Sequence, residues 1–123
     1  GPYLQYSYVR ACSLLRKAKK EYHLQPTYPV NFEVFALEEE LTILKHLAAF
    51  PEAVLKTAEM KKPHLLATYL ITLAQAFNEF YHQCQVLSEE KNQTKARLLL
   101  VDCVRQVLEN GLNLLGIQAP EEM

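Results

Sequence analysis

Tyr3, Tyr6 and Arg10 fall on one line of the chain's first helical segment. At about 100° per residue they share an arc of roughly 60°, and Ser13 and Lys17 extend it. A different stripe, Leu4, Tyr8, Ala11, Cys12 and Leu15, is the one a core would claim. Two aromatic rings and a guanidinium have a chemistry in common. Tyrosine rings stack on unpaired nucleic-acid bases at about 1–3 kcal/mol per base, and arginine donates hydrogen bonds to base edges and phosphates. Periodicity alone admits a plainer reading equally well: two half-buried tyrosines beside a surface arginine in an ion pair.

Other chemistry-bearing patterns are sparse. The sequence has no phosphate-cradling glycine loop, no GxSxG elbow and no HExxH pair. His82-x-Cys84 offers two metal ligands without a second pair at zinc spacing, so no metal and no catalytic residue is expected. His23, His46 and His64 read as surface or helix-end histidines. Glu38, Glu39 and Glu40 read as a solvated helix face rather than acid–base machinery. Among the later aromatics, Phe77 and Phe80 follow an apolar stripe with Leu70 and Leu73. Tyr81, beside His82, is placed at an accessible rim, with a buried tyrosine of satisfied hydroxyl as the alternative.

The elements that must carry these residues belong to one folded domain. A length of 123 residues, 50% hydrophobic and 22% charged, suits a single globular core and not a disordered chain. Cys12, Cys84 and Cys103 are scattered without a CxxC pair and read as buried thiols of a reducing compartment, so a cytoplasmic location is expected. No apolar run approaches the roughly 18–20 residues that span a bilayer, and no signal peptide opens the sequence. Gly1-Pro2 has the look of a scar left by tag cleavage, which leaves residues 3–123 as the domain. Net charge is −1, but among residues 1–30 Arg10, Arg16, Lys17, Lys19 and Lys20 face Glu21 alone, a local +4 that leaves −5 for the remainder. A basic end can steer phosphate to one surface. For Lys19 and Lys20 a solvated helix C-terminus is the better explanation.

Three glycines and apolar repeats at three and four predict an all-α fold, a compact bundle of about five helices. The first runs from Tyr3 to Lys20, before a stretch that Pro26 and Pro29 keep extended. The second covers Ala36 to Ala49 with Leu37, Leu41, Leu44 and Leu47 or Ala48 inward. Phe50-Pro51 starts a third, with Val54, Leu55 and Ala58 as its apolar face, ended by MKKP. Pro63 opens a fourth, whose stripe is Leu66, Leu70, Leu73, Phe77 and Phe80. After a polar loop around Ser88 to Gln93 comes a last helix carrying Leu99, Leu100, Cys103, Val107, Leu114 and Leu115. Gly116 is its natural stop. Leu98, Leu112 and Ile117 lie beyond that main stripe.

Three segments, in order, carry a resemblance. YLQYSYVRACSLLRKA, PHLLATYLITLAQAFNEFYHQCQVL and ARLLLVDCVRQVLENGLNLLGIQAPEEM together resemble the C-terminal domain of the arginyl-tRNA synthetases, from Tyr3 to Met123. The motifs Y-x-Q-Y-x-x-x-R, PH…YL…LAQAF…FY and R-Q-V-L-x-N-G-x-x-L-L-G-I-x-A-P-E-x-M are specific in combination. The resemblance implies the all-α anticodon-binding domain shared by several class I synthetases. It also implies that Met123 is the native C-terminus and that the chain is part of an arginine–tRNA ligase. ATP and arginine would be handled by an upstream catalytic domain; this chain carries neither of that domain's ATP motifs and needs no cofactor of its own.

The implied tRNA-contacting residues are Tyr3, Tyr6 and Arg10 of the first helix, Tyr81 of the central helix and Met123 of the tail, surrounding an unstacked anticodon base. The implied partners are arginine tRNAs and the enzyme's own catalytic domain, with no membrane and a monomeric state. Two positions depart from the family's usual pattern. Ser7-Tyr8 replaces a common alanine–histidine pair, and Glu122 stands where arginine is usual, which weakens any phosphate contact there. Two other readings remain: a protein-docking module using Leu98, Leu112 and Ile117, and the equivalent domain of another class I synthetase, against which the closing segment argues.

Overall fold

The computed structural model describes residues 2–26, 32–88 and 90–122. Among these residues five α-helices follow in order: α1 (Pro2–Tyr22), α2 (Glu38–Ala48), α3 (Phe50–Met60), α4 (Pro63–Gln83) and α5 (Lys91–Leu114). A 3-10 turn at Phe32–Val34 precedes α2, and no strand occurs among the described residues.

Helix α1 buries Leu4, Ser7, Tyr8, Ala11, Cys12 and Ala18, the expected apolar stripe with Leu15 half-buried at its edge. Its principal neighbour is α5, and it also meets α4. It runs two residues past the expected end. His23 then takes a left-handed backbone (φ 56°), and the Leu24 N–H bonds back to the Ala18 carbonyl at 3.0 Å. The extended stretch expected around Pro26 and Pro29 falls partly on residues 27–31, outside the described residues, and Phe32–Val34 is a turn rather than extended chain.

Helices α2 and α3 pack on α4. The inward face of α2 differs from the expected one. Leu37 and Leu41 are exposed, while Glu40 and Ile43 are fully buried, with Leu44 and Leu47 half-buried beside them. The acidic run is therefore not a uniformly solvated face. Glu40, 1% exposed, accepts the backbone N–H groups of Ala36 and Leu37 through Oε1 (3.2 and 3.1 Å) and the Arg97 Nε through Oε2 at 2.8 Å. Arg97 also donates to the Gln85 carbonyl at 2.8 Å. One buried ion pair thus ties the start of α2, the α4–α5 loop and α5 together. The Tyr69 hydroxyl donates to the His46 carbonyl and so ties α4 to the end of α2.

Helix α4 buries Leu66, Leu70, Leu73, Ala74, Phe77 and Phe80, as its stripe predicts. Pro63 stands at its first position, where the missing N–H costs nothing. Helix α5 starts at Lys91, earlier than the polar composition suggests, because the Glu90 side chain caps the Asn92 N–H at 2.9 Å. This helix lies against α1, α2 and α4 and is consequently buried all round at residues 96–101. Leu98 and Leu112, expected outside the stripe, are completely buried, whereas Leu114, expected inside it, is 61% exposed.

Gly111 lets α5 approach α4. A Cβ built there would meet Leu70 Cδ2 at 2.5 Å and its Cγ at 3.0 Å. Because Leu70 is itself fully enclosed, Gly111→Ala is expected to cost about 1–3 kcal/mol by overpacking. The roughly 1 kcal/mol of helix propensity gained with alanine offsets only part of that. Urea unfolding of the variant measures the difference, and a stabilised variant would mean that the helices can separate freely.

Burial also sets the alkaline limit of stability. Desolvation raises the Cys12 and Cys84 thiols above their ordinary 9.0. It also raises the Tyr69 hydroxyl from 10.0 to about 12, and that of Tyr8 further still. These acids keep their protons longer folded than unfolded, so their contribution is complete below the unfolded values and is lost as pH rises through the folded ones. The melting temperature is expected to fall progressively from about pH 9 upward, by several degrees before pH 11. A flat profile over that range would contradict this burial.

Candidate functional site

Five residues were expected to meet, from α1, α4 and the C-terminal tail. The α1–α4 crossing brings the first four to one face. Arg10 lies over the Tyr81 ring, its Cζ 4.2 Å from the ring centroid, a geometry of attraction between a cation and the ring's negative face. The same guanidinium donates through Nη1 to Asn78 Oδ1 at 2.8 Å. Asn78 Nδ2 in turn donates to the Tyr3 hydroxyl and to Ser7 Oγ, each at 3.0 Å, and Ser7 donates to the Tyr3 carbonyl at 3.0 Å. One carboxamide thereby joins Arg10 to Tyr3, and Arg10 in turn holds Tyr81. Tyr6 stands on the same face of α1, a turn from Tyr3, and is 60% exposed.

Tyr3 and Tyr81 are 44% and 37% exposed, so the accessible rim expected for Tyr81 is what the structure has. The Tyr81 ring also meets His82 edge-on, centroids 5.5 Å apart. Beside it, Arg10, Ser13, Leu14, Lys17 and Tyr81 line a recess of about 290 Å³. That volume lies at the lower end of the roughly 300–1,000 Å³ typical of small-ligand clefts. Its lining has two cations, one ring and no carboxylate. It suits a small, flat, electron-rich group or a phosphate.

The tail is held on the flank of α1. Gly116 takes φ 75°, the left-handed stop expected of it, with Gly116 N–H bonded to the Asn113 carbonyl at 3.0 Å and Ile117 N–H to that of Leu112 at 2.8 Å. This pair of bonds turns the chain back along α1. Gln5 donates to the Gln118 carbonyl at 3.0 Å, and Arg16 to that of Glu121 at 3.2 Å. Arg16 is braced by Ser13 Oγ at 3.1 Å. Met123, the fifth expected residue, lies outside the described residues. Glu122 is exposed at the end of the described tail.

Asn78 and Ser7 are the participants that sequence reasoning overlooked. A signal for Asn78 existed: it is a carboxamide directly beside Phe77 of the buried stripe, and a half-buried amide there needs partners. Its position one turn before Tyr81 names the face. For metal binding, no group of three or more His, Cys, Asp or Glu residues comes together among the described residues. None of the three cysteines forms a disulfide, and Cys12 and Cys84 are buried. No described helix is long and apolar enough to cross a membrane.

A second exposed feature lies between α3 and the end of α5. Phe50, Val54, Leu55, Ala58 and Leu114 contribute to an open apolar groove of about 910 Å³, with Leu55 59% exposed. The apolar face expected for α3 is therefore only partly covered, since none of its residues is fully buried. The docking surface expected at Leu98, Leu112 and Ile117 is not exposed, because the first two are core residues and Ile117 is half-buried against the core.

The chain is 45% identical over 122 residues to the arginine–tRNA ligase of Carboxydothermus hydrogenoformans, a match covering 98% of this chain and 22% of that protein. It is 45% identical over 124 residues to the arginine–tRNA ligase of Methanosarcina mazei, covering 100% of this chain and 22% of that one. Among solved structures, Thermus thermophilus arginyl-tRNA synthetase superposes with a TM-score of 0.85 at 38% identity, over 100% of this chain and 21% of its own. The chain thus spans about a fifth of the length of these relatives. Residues 4–123 match the family described as the DALR anticodon binding domain. With that match running almost end to end over an all-helical bundle, the chain belongs to the DALR anticodon-binding domain family.

Proposed function

We propose that this domain reads the anticodon loop of arginine tRNAs on behalf of an arginine–tRNA ligase, holding the tRNA while a catalytic part outside these residues uses ATP to activate arginine and transfer it. The observation that carries the reading is the Arg10–Tyr81 pair, 4.2 Å apart across two helices and flanked by exposed Tyr3 and Tyr6. Every arginine codon has guanine in the middle, so every arginine anticodon has cytosine there. A single pocket can therefore serve all the isoacceptors. Tyr6, the most exposed ring, is placed to stack on an unpaired base. Arg10 can only donate, which suits cytosine's two acceptors, O2 and N3, and Lys17 beside it suits a phosphate. Tyr3, Tyr6, Arg10 and Tyr81 form the proposed surface, with Met123 as the tail's contribution.

An arginine anticodon stem-loop is expected to bind the domain at least about tenfold more tightly than one whose middle cytosine is replaced, each good pair of base-edge hydrogen bonds discriminating by roughly 1–3 kcal/mol. Titration by fluorescence anisotropy measures both. Equal affinities would remove the reading, whereas weak binding with steep salt dependence is consistent with it, since phosphate contacts dominate affinity.

The groove at Leu55 and Leu114 favours one further statement about partners. We propose that it packs against the remainder of the same enzyme, which makes up some four fifths of the relatives' length. Charged substitutions at Leu55 in the whole enzyme should then lower aminoacylation while leaving the isolated domain's stability within about 0.5 kcal/mol.

A further inference from the structure

We propose that Asn78 sets the hydrogen-bond polarity of the site, holding the Tyr3 hydroxyl as a donor beside the remaining N–H groups of Arg10, so that together they accept cytosine and reject uracil. The inference rests on the anticodon reading above and deepens it by naming the atoms that tell the two pyrimidines apart.

A guanidinium has only hydrogens to offer, so the Asn78 atom 2.8 Å from Arg10 Nη1 must be the carbonyl oxygen. That fixes the amide's orientation, which is otherwise ambiguous between its two ends. The amino group must then face the Tyr3 hydroxyl and Ser7 Oγ, both at 3.0 Å. An amide nitrogen donates and does not accept, so both hydroxyl oxygens act as acceptors here. Ser7 commits its own hydrogen to the Tyr3 carbonyl at 3.0 Å. The Tyr3 oxygen has accepted from Asn78, so its hydrogen is directed away from the amide, and the residue is 44% exposed. Seen from the ligand, Tyr3 O–H and the Arg10 N–H groups flank one carboxamide and all present hydrogens.

Cytosine and uracil have the same size and ring and differ in what this array meets. Cytosine offers two adjacent acceptors, O2 and N3. In uracil N3 carries a hydrogen, so one of two neighbouring donors would face another donor and lose its bond. A buried or half-buried donor left without its acceptor is costly, which is how a site built on hydrogen bonds rejects a near-isostere. Stacking on Tyr6 is indifferent to the exchange, because every base has a ring face. On this view discrimination lies in the hydrogens of Tyr3 and Arg10 as Asn78 orients them, while general affinity comes from the rings and from the positive charge of the cations.

Two substitutions test it. Asn78→Asp replaces the amino group with an oxygen that can only accept; the Tyr3 hydroxyl then donates inward and turns a lone pair to the ligand. Tyr3→Phe deletes the hydroxyl and keeps the ring, and it remains informative if the aspartate variant fails to fold in a thermal melt. Arginine anticodon stem-loops with cytosine or uracil in the middle position are titrated into wild type and both variants at one salt concentration. Wild type is expected to favour cytosine about tenfold or more. Tyr3→Phe should bring that ratio to within about threefold, and Asn78→Asp should shift it further toward uracil. A wild type that discriminates, with both variants keeping its ratio, overturns the role of Asn78 alone. A wild type that binds both loops equally overturns the anticodon reading and this inference with it.

Discussion

Arg97→Met is expected to destabilise the domain by about 3–5 kcal/mol, the usual cost of leaving a buried charge without its partner. Glu40 is 1% and Arg97 5% exposed, and their side chains meet at 2.8 Å. Removing the guanidinium strands the Glu40 carboxylate in the core and releases the Gln85 carbonyl, which accepts from Arg97 at 2.8 Å. A domain of this size has a total stability of roughly 5–15 kcal/mol, so the loss is a large fraction of the whole. In a thermal scan it amounts to roughly 10–20 °C. Substituting both partners by apolar residues should not restore stability, because Glu40 Oε1 also accepts two backbone N–H groups, those of Ala36 and Leu37. Arg97→Lys should recover little, since a single ammonium lacks the planar fork that reaches Glu40 and Gln85 together. A loss below about 1 kcal/mol would mean that the pair behaves as a solvated surface bridge.

Arg10→Ala is expected to weaken binding of an arginine anticodon stem-loop by about tenfold or more. A hydrogen bond to a charged group contributes about 1.5–3 kcal/mol, and the variant also frees the Tyr81 ring and leaves Asn78 Oδ1 without its donor. Arg10→Lys keeps the charge, and so should keep the phosphate-driven, salt-dependent part of affinity, yet it cannot both stack on Tyr81 and fork to Asn78 and a base. Arg10→Lys should therefore keep the wild-type salt slope, Arg10→Ala should lower it by at most about one unit, and the two should differ in affinity. Folding is not at stake, because Arg10 lies outside the core. Unchanged affinity in Arg10→Ala would detach the residue from the site.

Where the sequence was legible and where it was not follows from the range of the physics involved. The face holding Tyr3, Tyr6 and Arg10 could be separated from the Leu4–Tyr8–Ala11–Cys12 stripe because helical phase is a local property. The long stripe of α4 was readable for the same reason. In α2 the leucines suggested an inward face at Leu37 and Leu41, but the inward side is set by Glu40, whose partner Arg97 is 57 residues away. No local pattern announces a buried ion pair of that span. In α5 the distinction between stripe and remainder failed because three helices surround it, so Leu98 and Leu112 needed no separate partner. The stop at Gly116 was visible as chemistry, though its consequence, a tail laid along α1 by Gln5 and Arg16, was not. The meeting of Tyr81 with Arg10 came from family resemblance rather than from spacing. Asn78, which joins Arg10 to Tyr3, was hidden among the aromatic residues of α4.

The central claim is that the Tyr3–Tyr6–Arg10–Tyr81 face reads the middle base of the anticodon, and a double-mutant cycle between protein and RNA tests it most directly. Stem-loops with cytosine or another base in the middle position are titrated against wild type and Arg10→Ala at fixed salt. If Arg10 reads that base, its removal and the base change remove the same interaction, and their combined effect falls short of the sum of the two by about 1 kcal/mol or more. Wild type then discriminates strongly and Arg10→Ala hardly at all. Strictly additive effects, with the variant discriminating as well as wild type, would place the base elsewhere on the domain.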